Sequence, residues 1–444
     1  MGLARLGWHA LSAMAPVGAV GRLGLACALL LPGCDKGPAL SSETEVGHKP
    51  ELGGVNPDGP RLGALLDRTP VFASASKKSA ELGYLHAGAQ VARSPKSFES
   101  SDCIDGWYSI WPRGYVCTEK VATTNLDHPT LQAMALAPQL EAELPYVYAR
   151  TTKVTSLFNR ANDKGVELGG RLGKSTVMAI VGSWTAPDES NEPFLLGLRM
   201  NGQFVRAEDL ESASGSEFAG VELNEHSEMP LAYVVRRGVR LWSLDQNPPE
   251  KKGEVGYHEL LELSGRFRTV DDEKFFATKS GAWIRHKDAT VVLPRHEFPE
   301  FASEDQKWLD VSVITGAVVA YEGKRPVFVS LVSVGSDRLG DPKTSASTAL
   351  GTFKSVSKHV TRRSPSTPDE ALLDAPWALE LESGQWLLAS PRHDRFGVEH
   401  TDGDIEVSPR DGARLWKWAT PEMPPGWHGA ALDAARPTLV HVRK

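Results

Sequence analysis

Lys307-Trp308-Leu309-Asp310-Val311-Ser312 opens a run in which Val313 to Leu331 alternates apolar and polar residues around the break Tyr321-Glu322-Gly323-Lys324-Arg325-Pro326. Alternation with period two on both sides of a Gly-containing break reads as two antiparallel strands with one face buried. Downstream come Leu331-Val332-Ser333-Val334-Gly335, Thr348-Ala349-Leu350-Gly351-Thr352-Phe353, Asp374-Ala375-Pro376-Trp377 and His393-Asp394-Arg395-Phe396-Gly397. Ser408-Pro409 then precedes Trp416 and Trp418. Ser408, Pro409 and Asp411 suit the N-cap, first-turn and capping-box positions of a helix.

These segments, in this order over residues 307–429, resemble the YkuD-type L,D-transpeptidase domain. The resemblance implies a β-domain with short helices and a partner in peptidoglycan. It also implies a chemistry, in which a cysteine thiolate attacks the carbonyl of a tetrapeptide stem and an amine of a second stem resolves the acyl-enzyme. The family motif is S-H-G-C-x-N-x-S-P. Anchored on Ser408-Pro409, it puts Asp402 at the histidine position, Gly403 at the glycine, Asp404 at the nucleophile and Glu406 at the asparagine. The family's first His-Gly pair falls on Leu388-Ala389, and no cysteine follows Cys117 anywhere in the chain. A carboxylate nucleophile would have to pass through a mixed anhydride, and Asp402, Asp404, Glu406 and Glu399 crowd negative charge where an anionic stem would dock. The motif therefore predicts a domain with no intact catalytic residue. His393, Asp394, His400, Asp402 and Asp404 form an N/O-rich loop that could hold a divalent cation, but their spacing fits no metal motif. The expectation is no metal and no cofactor.

At the other end, Arg22 precedes an apolar run from Leu23 to Leu31, too short to span a bilayer, that ends in Leu31-Pro32-Gly33-Cys34. This resembles a bacterial lipoprotein signal over residues 1–34, with Cys34 lipidated, Cys27 discarded and Met14 a second candidate start. An ordinary secretory signal is the alternative. Residues 35–60, rich in Gly, Pro, Ser and charge, read as a tether with a root-mean-square reach of roughly 28 Å. The implied setting is the cell envelope, with a lipid anchor to a membrane leaflet that Asp35 does not identify.

Residues 61–125 resemble a bacterial SH3-like domain, in which Pro70-Val71-Phe72-Ala73 and Ala89-Gln90-Val91-Ala92 lead to Gly106-Trp107-Tyr108-Ser109-Ile110 and Gly114-Tyr115-Val116-Cys117. Cys103 and Cys117 flank the last two strands of an exported protein, so a disulfide is expected in preference to a metal pair without a local histidine. Residues 126–143 show mixed helical spacing and are expected to form a connecting helix. Residues 144–297 read as a β-rich domain that could contain another SH3-like barrel, with His258, His286 and His296 scattered through it. Residues 430–444 read as a tail.

The 444 residues are 41% hydrophobic and 24% charged, ordinary globular usage, and the net charge of -7 with no basic cluster argues against nucleic acid as a partner. The fold class expected is mainly β and multidomain. Three functions compete: a catalytically inactive L,D-transpeptidase-like lipoprotein that binds or scaffolds at peptidoglycan, an active transpeptidase or hydrolase with a relocated site, and a structural module bound to an envelope protein.

Overall fold

The computed structural model describes residues 54–444 apart from 163, 188–191, 226, 228, 338, 364–370 and 432–435. Cys27, Cys34, the signal segment and most of the expected tether lie outside the described residues. Strands dominate the rest, with two α-helices, α1 (Pro129–Ala133) and α2 (Pro409–Trp418).

One strand arrangement recurs along the chain. Between Val147 and Ser212, seven strands run Val147–Thr151, Thr155–Asn162, Gly165–Leu172, Val177–Pro187, Pro193–Arg199, Phe204–Arg206 and Leu210–Ser212. The first pairs with the fourth and seventh, the second with the third and sixth, and the fifth with the fourth and sixth. Seven strands between Leu231 and Val292 repeat this pairing one for one, down to a 3₁₀ turn before the last strand, Ala207–Asp209 in one unit and His286–Asp288 in the other. The unit from Arg61 to Thr123 follows the same scheme, with its fourth strand broken into Gln90–Ala92 and Phe98–Ser100. The region expected as one β-rich domain, 144–297, thus holds two units of the arrangement found over 61–123.

Period-two alternation explains how each unit docks. In the fully buried run Val177–Val181, Met178 and Ile180 pack inside their own unit against Leu157, Leu172 and Val205. Val177, Ala179 and Val181 face the opposite way and join the core of the C-terminal domain. In the third unit Ala232 and Val234 point inward, while Leu231 and Tyr233 pack with Trp308, Tyr321 and Phe396.

The C-terminal domain contains β1 (Lys307–Ser312), β2 (Ala317–Glu322), β3 (Arg325–Leu331), β4 (Val334–Gly335), β5 (Gly351–Arg363), β6 (Asp374–Leu381), β7 (Trp386–Ala389), β8 (Glu399–Thr401), β9 (Ile405–Val407), β10 (Gly429–Ala431) and β11 (Leu439–Arg443). The two strands expected over residues 313–331 are β2 and β3, and β1 precedes them across a turn at Gly316, whose φ of +64° glycine adopts without steric cost. Its sheet runs β3-β2-β1-β11-β5, and β5 continues through β6 and β7 to β9. Val221–Glu222, from the connection between the second and third units, extends the edge at β3.

Two expectations fail. Residues 126–143 are helical only over Pro129–Ala133, and the chain leaves the helix at Met134, with φ -103° and ψ 27°. Residues 430–444 are no tail: β11 lies parallel to β1 and antiparallel to the start of β5, with Val440 and Val442 buried. Its alternation Leu-Val-His-Val-Arg is that of a strand with one face in a core. β10 pairs with both β5 and Glu81–Leu85, so the sheet of the first unit continues into that of the C-terminal domain.

Cys103 and Cys117 form a disulfide between neighbouring strands of the first unit.

Candidate functional site

β7 and β9 run in parallel, with Leu388 opposite Glu406 and Ala389 opposite Val407. The chain therefore brings together the two places where the family motif would put its histidines and cysteine. β9 leads directly into α2, whose N-cap Ser408 accepts a hydrogen bond from Asp411 N. The Asp411 carboxylate is engaged across the domain: it accepts from Gly220 N at 2.9 Å and from Ser330 Oγ.

The motif side chains are committed to internal bonds. Asp404 accepts from Arg362 Nη1 at 2.8 Å and from Trp386 N at 3.0 Å. Burial raises its pKa, and the Arg362 guanidinium opposes that rise without cancelling it. Glu406 is clamped by Arg392 Nη2 at 2.8 Å and by His393 Nε2 at 2.7 Å. Burial alone would push its carboxyl up, but the His393 hydrogen bond and the Arg392 charge win and hold it at about 2. Gly403 sits at φ +120°, and a Cβ there would approach Gln385 Nε2 and Ser347 O to 2.9 Å. A side chain at that position would be strained, which accounts for the one motif residue that is kept. Asp402 is exposed.

The N/O-rich loop is similarly occupied. His393 is bound to Glu406, Asp394 pairs with Arg237 of the third unit, and Asp404 is held by Arg362. His400 packs edge-on against His393 with ring centroids 4.5 Å apart. Among the described residues, the only convergent group of three or more His, Cys, Asp and Glu donors is Cys103, Cys117 and Glu119, and its two cysteines are the disulfide pair.

Arg362 and Trp386 do more than hold Asp404. The Arg362 guanidinium lies over the Trp386 ring, 4.5 Å from its centroid, and both line a cavity of about 770 Å³. The first unit contributes Asp67, Arg68, Glu81, Tyr84 and His86 to its wall, while Ser357, His359, Glu380 and His428 come from the C-terminal domain. The motif points to Asp404, which two of these lining residues hold, and to none of the groups inside the cavity. Ser357 and His359 sit two residues apart on β5, so they share a face.

No protein-family model and no curated protein matches the sequence. Solved structures of L,D-transpeptidases do align with the chain. That from Stackebrandtia nassauensis is 16% identical at a TM-score of 0.24, over 32% of this chain and 57% of its own. That from Xylanimonas cellulosilytica is 19% identical at 0.23, over 34% and 65%. That from Mycobacterium smegmatis is 13% identical at 0.24, over 51% of this chain and all of its own. The chain thus spans less than two thirds of the first two, and scores at this level do not by themselves establish a common fold.

Proposed function

We propose that this protein is a cell-envelope lipoprotein with a YkuD-like domain that has lost transpeptidation and serves as a peptidoglycan-binding or scaffolding protein. The observation that carries the reading is the fate of the motif. Asp404 is tied to Arg362 and Trp386, and Glu406 to Arg392 and His393, at the positions where the family pattern has its cysteine and its asparagine. Cys103 and Cys117 are oxidised and belong to another unit. The three similar β-units, of which the first carries the SH3-like sequence pattern, supply surface for a polymeric ligand, and Cys34 supplies the lipid anchor. Among the described residues no helix is long and apolar enough to cross a membrane.

Cosedimentation with purified peptidoglycan sacculi tests binding directly. The full chain is expected in the pellet, and its retention in the supernatant at all salt concentrations would refute the reading.

A further inference from the structure

Ser357 Oγ lies 2.7 Å from His359 Nε2, and His359 Nδ1 lies 3.1 Å from Tyr84 Oη. Tyr84 Oη in turn reaches Thr361 O at 3.4 Å. A carbonyl oxygen can only accept, and the residue opposite Thr361 across the sheet is Pro376, which has no N–H to offer. The Tyr84 hydroxyl therefore donates to Thr361, His359 Nδ1–H donates to Tyr84, and Nε2 is left with its lone pair towards Ser357. The Ser357 hydroxyl also donates to Glu380 Oε2, so its one proton is shared between that carboxylate and His359 Nε2. All five residues line the 770 Å³ cavity.

We propose that Ser357 is a nucleophile and His359 its general base, forming an acyl-transfer site for carboxylic esters that is separate from the degenerate motif. The constellation has the three parts such chemistry needs: an oxygen nucleophile, a base in hydrogen-bond reach of it, and a group that fixes the tautomer of the base. Burial supports the protonation states. It pushes His359 down to about 4, aided by the Arg68 and Arg362 charges, so the ring is neutral at pH 7, and it pushes Tyr84 up to about 12, so the phenol keeps its proton.

The step balances without a cofactor. Ser357 Oγ forms a bond to the ester carbonyl carbon as its proton passes to His359 Nε2. The carbon–oxygen bond to the leaving alcohol then breaks, and the alcohol takes that proton. Water attacks the acyl-serine, gives its proton to Nε2, and releases the carboxylic acid as Ser357 Oγ is reprotonated.

The test uses the full chain and diisopropyl fluorophosphate, followed by peptide mapping, with p-nitrophenyl butyrate as substrate. One adduct is expected, on Ser357, together with ester hydrolysis that falls by ~100-fold or more in Ser357→Ala and in His359→Ala. Tyr84→Phe tests the positioning residue, and it should change the pH profile of hydrolysis as well as its rate. The adduct is read on the wild-type chain, so the assignment survives even if a variant fails to fold. Absence of an adduct, an adduct confined to another serine, or hydrolysis unchanged in a folded Ser357→Ala would overturn the proposal. A failure to bind sacculi leaves it untouched, because the two claims have different readouts.

Discussion

The guanidinium of Arg362 is bonded to the carboxylate of Asp404 at 2.8 Å, at the one position where the family pattern calls for a thiol. The positive charge held there by stacking on Trp386 offsets only part of what burial costs an anion at residue 404.

An engineered Asp404→Cys should accordingly carry a thiol of low reactivity. Alkylation by iodoacetamide is expected to titrate above the ordinary cysteine value of about 8.5, because burial and the neighbouring Glu406 charge penalise the thiolate more than Arg362 favours it. Cross-linking of tetrapeptide stems should still be absent, since Leu388 and Asp402 stand at the histidine positions and leave no proton acceptor. The unmodified protein should form no carbapenem adduct. Stem cross-linking, or a mass shift within residues 307–429 of the unmodified chain, would show the inactive reading to be wrong.

Glu406 sets an acid limit on stability. Its carboxyl falls from 4.5 to about 2 on folding, so the folded state binds fewer protons between those values than the unfolded state does. Its contribution is complete above pH 4.5 and fades as pH drops towards 2, by about 3 kcal/mol in all. Comparing urea midpoints of wild type and Glu406→Gln at pH 5 and pH 2.5 isolates this group. The stability difference between them should shrink on acidification, and a constant difference would contradict the assignment.

Asp411 works in the opposite direction. Burial raises its carboxyl from 3.8 to about 6 despite hydrogen bonds from Ser330, Gly220 and Ser408. The folded state then holds a proton that the unfolded state has lost, so this group costs stability as pH rises from 3.8 through 6. Acidifying from pH 7 to pH 4 should recover up to about 3 kcal/mol in wild type and not in Asp411→Asn. Denaturant titration across that range would expose the error if both proteins responded alike.

The disulfide closes a sequence separation of 14 residues, which in the chain-entropy model stabilises the first unit by ~3 kcal/mol. Neither thiol should react with maleimide before reduction. Quantitative labelling of native protein isolated without reductant would contradict the bridge.

For the anchor, the mature chain is expected to begin at Cys34 and to partition into detergent, and Cys34→Ser should release it to the aqueous phase. A wild-type protein that is water-soluble and starts elsewhere would sink the lipoprotein claim.

The mainly β architecture was legible wherever a strand buries alternate residues against a core, as in Lys307–Leu331 and Val177–Val181. The repetition was less visible. Gly202-Gln203-Phe204-Val205-Arg206 and Gly281-Ala282-Trp283-Ile284-Arg285 occupy the same place in two units, but only the second has the tryptophan that makes the pattern conspicuous. Residues 126–143 carry helical spacing, yet only Pro129–Ala133 is helical, because mixed spacing of apolar residues does not mark where the chain leaves the helix. The motif positions could be located by counting back from Ser408-Pro409, whereas their arginine partners could not. Arg362 lies 42 residues before Asp404, and Tyr84 lies 275 before His359. Pairings at such separations are set by how the sheets continue into one another, and no local pattern records them.

The parallel seat of β11 between β1 and β5 has a bearing on the order of events during synthesis. When residues 307–331 leave the ribosome they can form β1, β2 and β3, but the far side of β1 stays unpaired until residue 439 has followed. An open apolar edge invites pairing with other chains. That edge of β1 is covered only once β11 has been made and paired in its place.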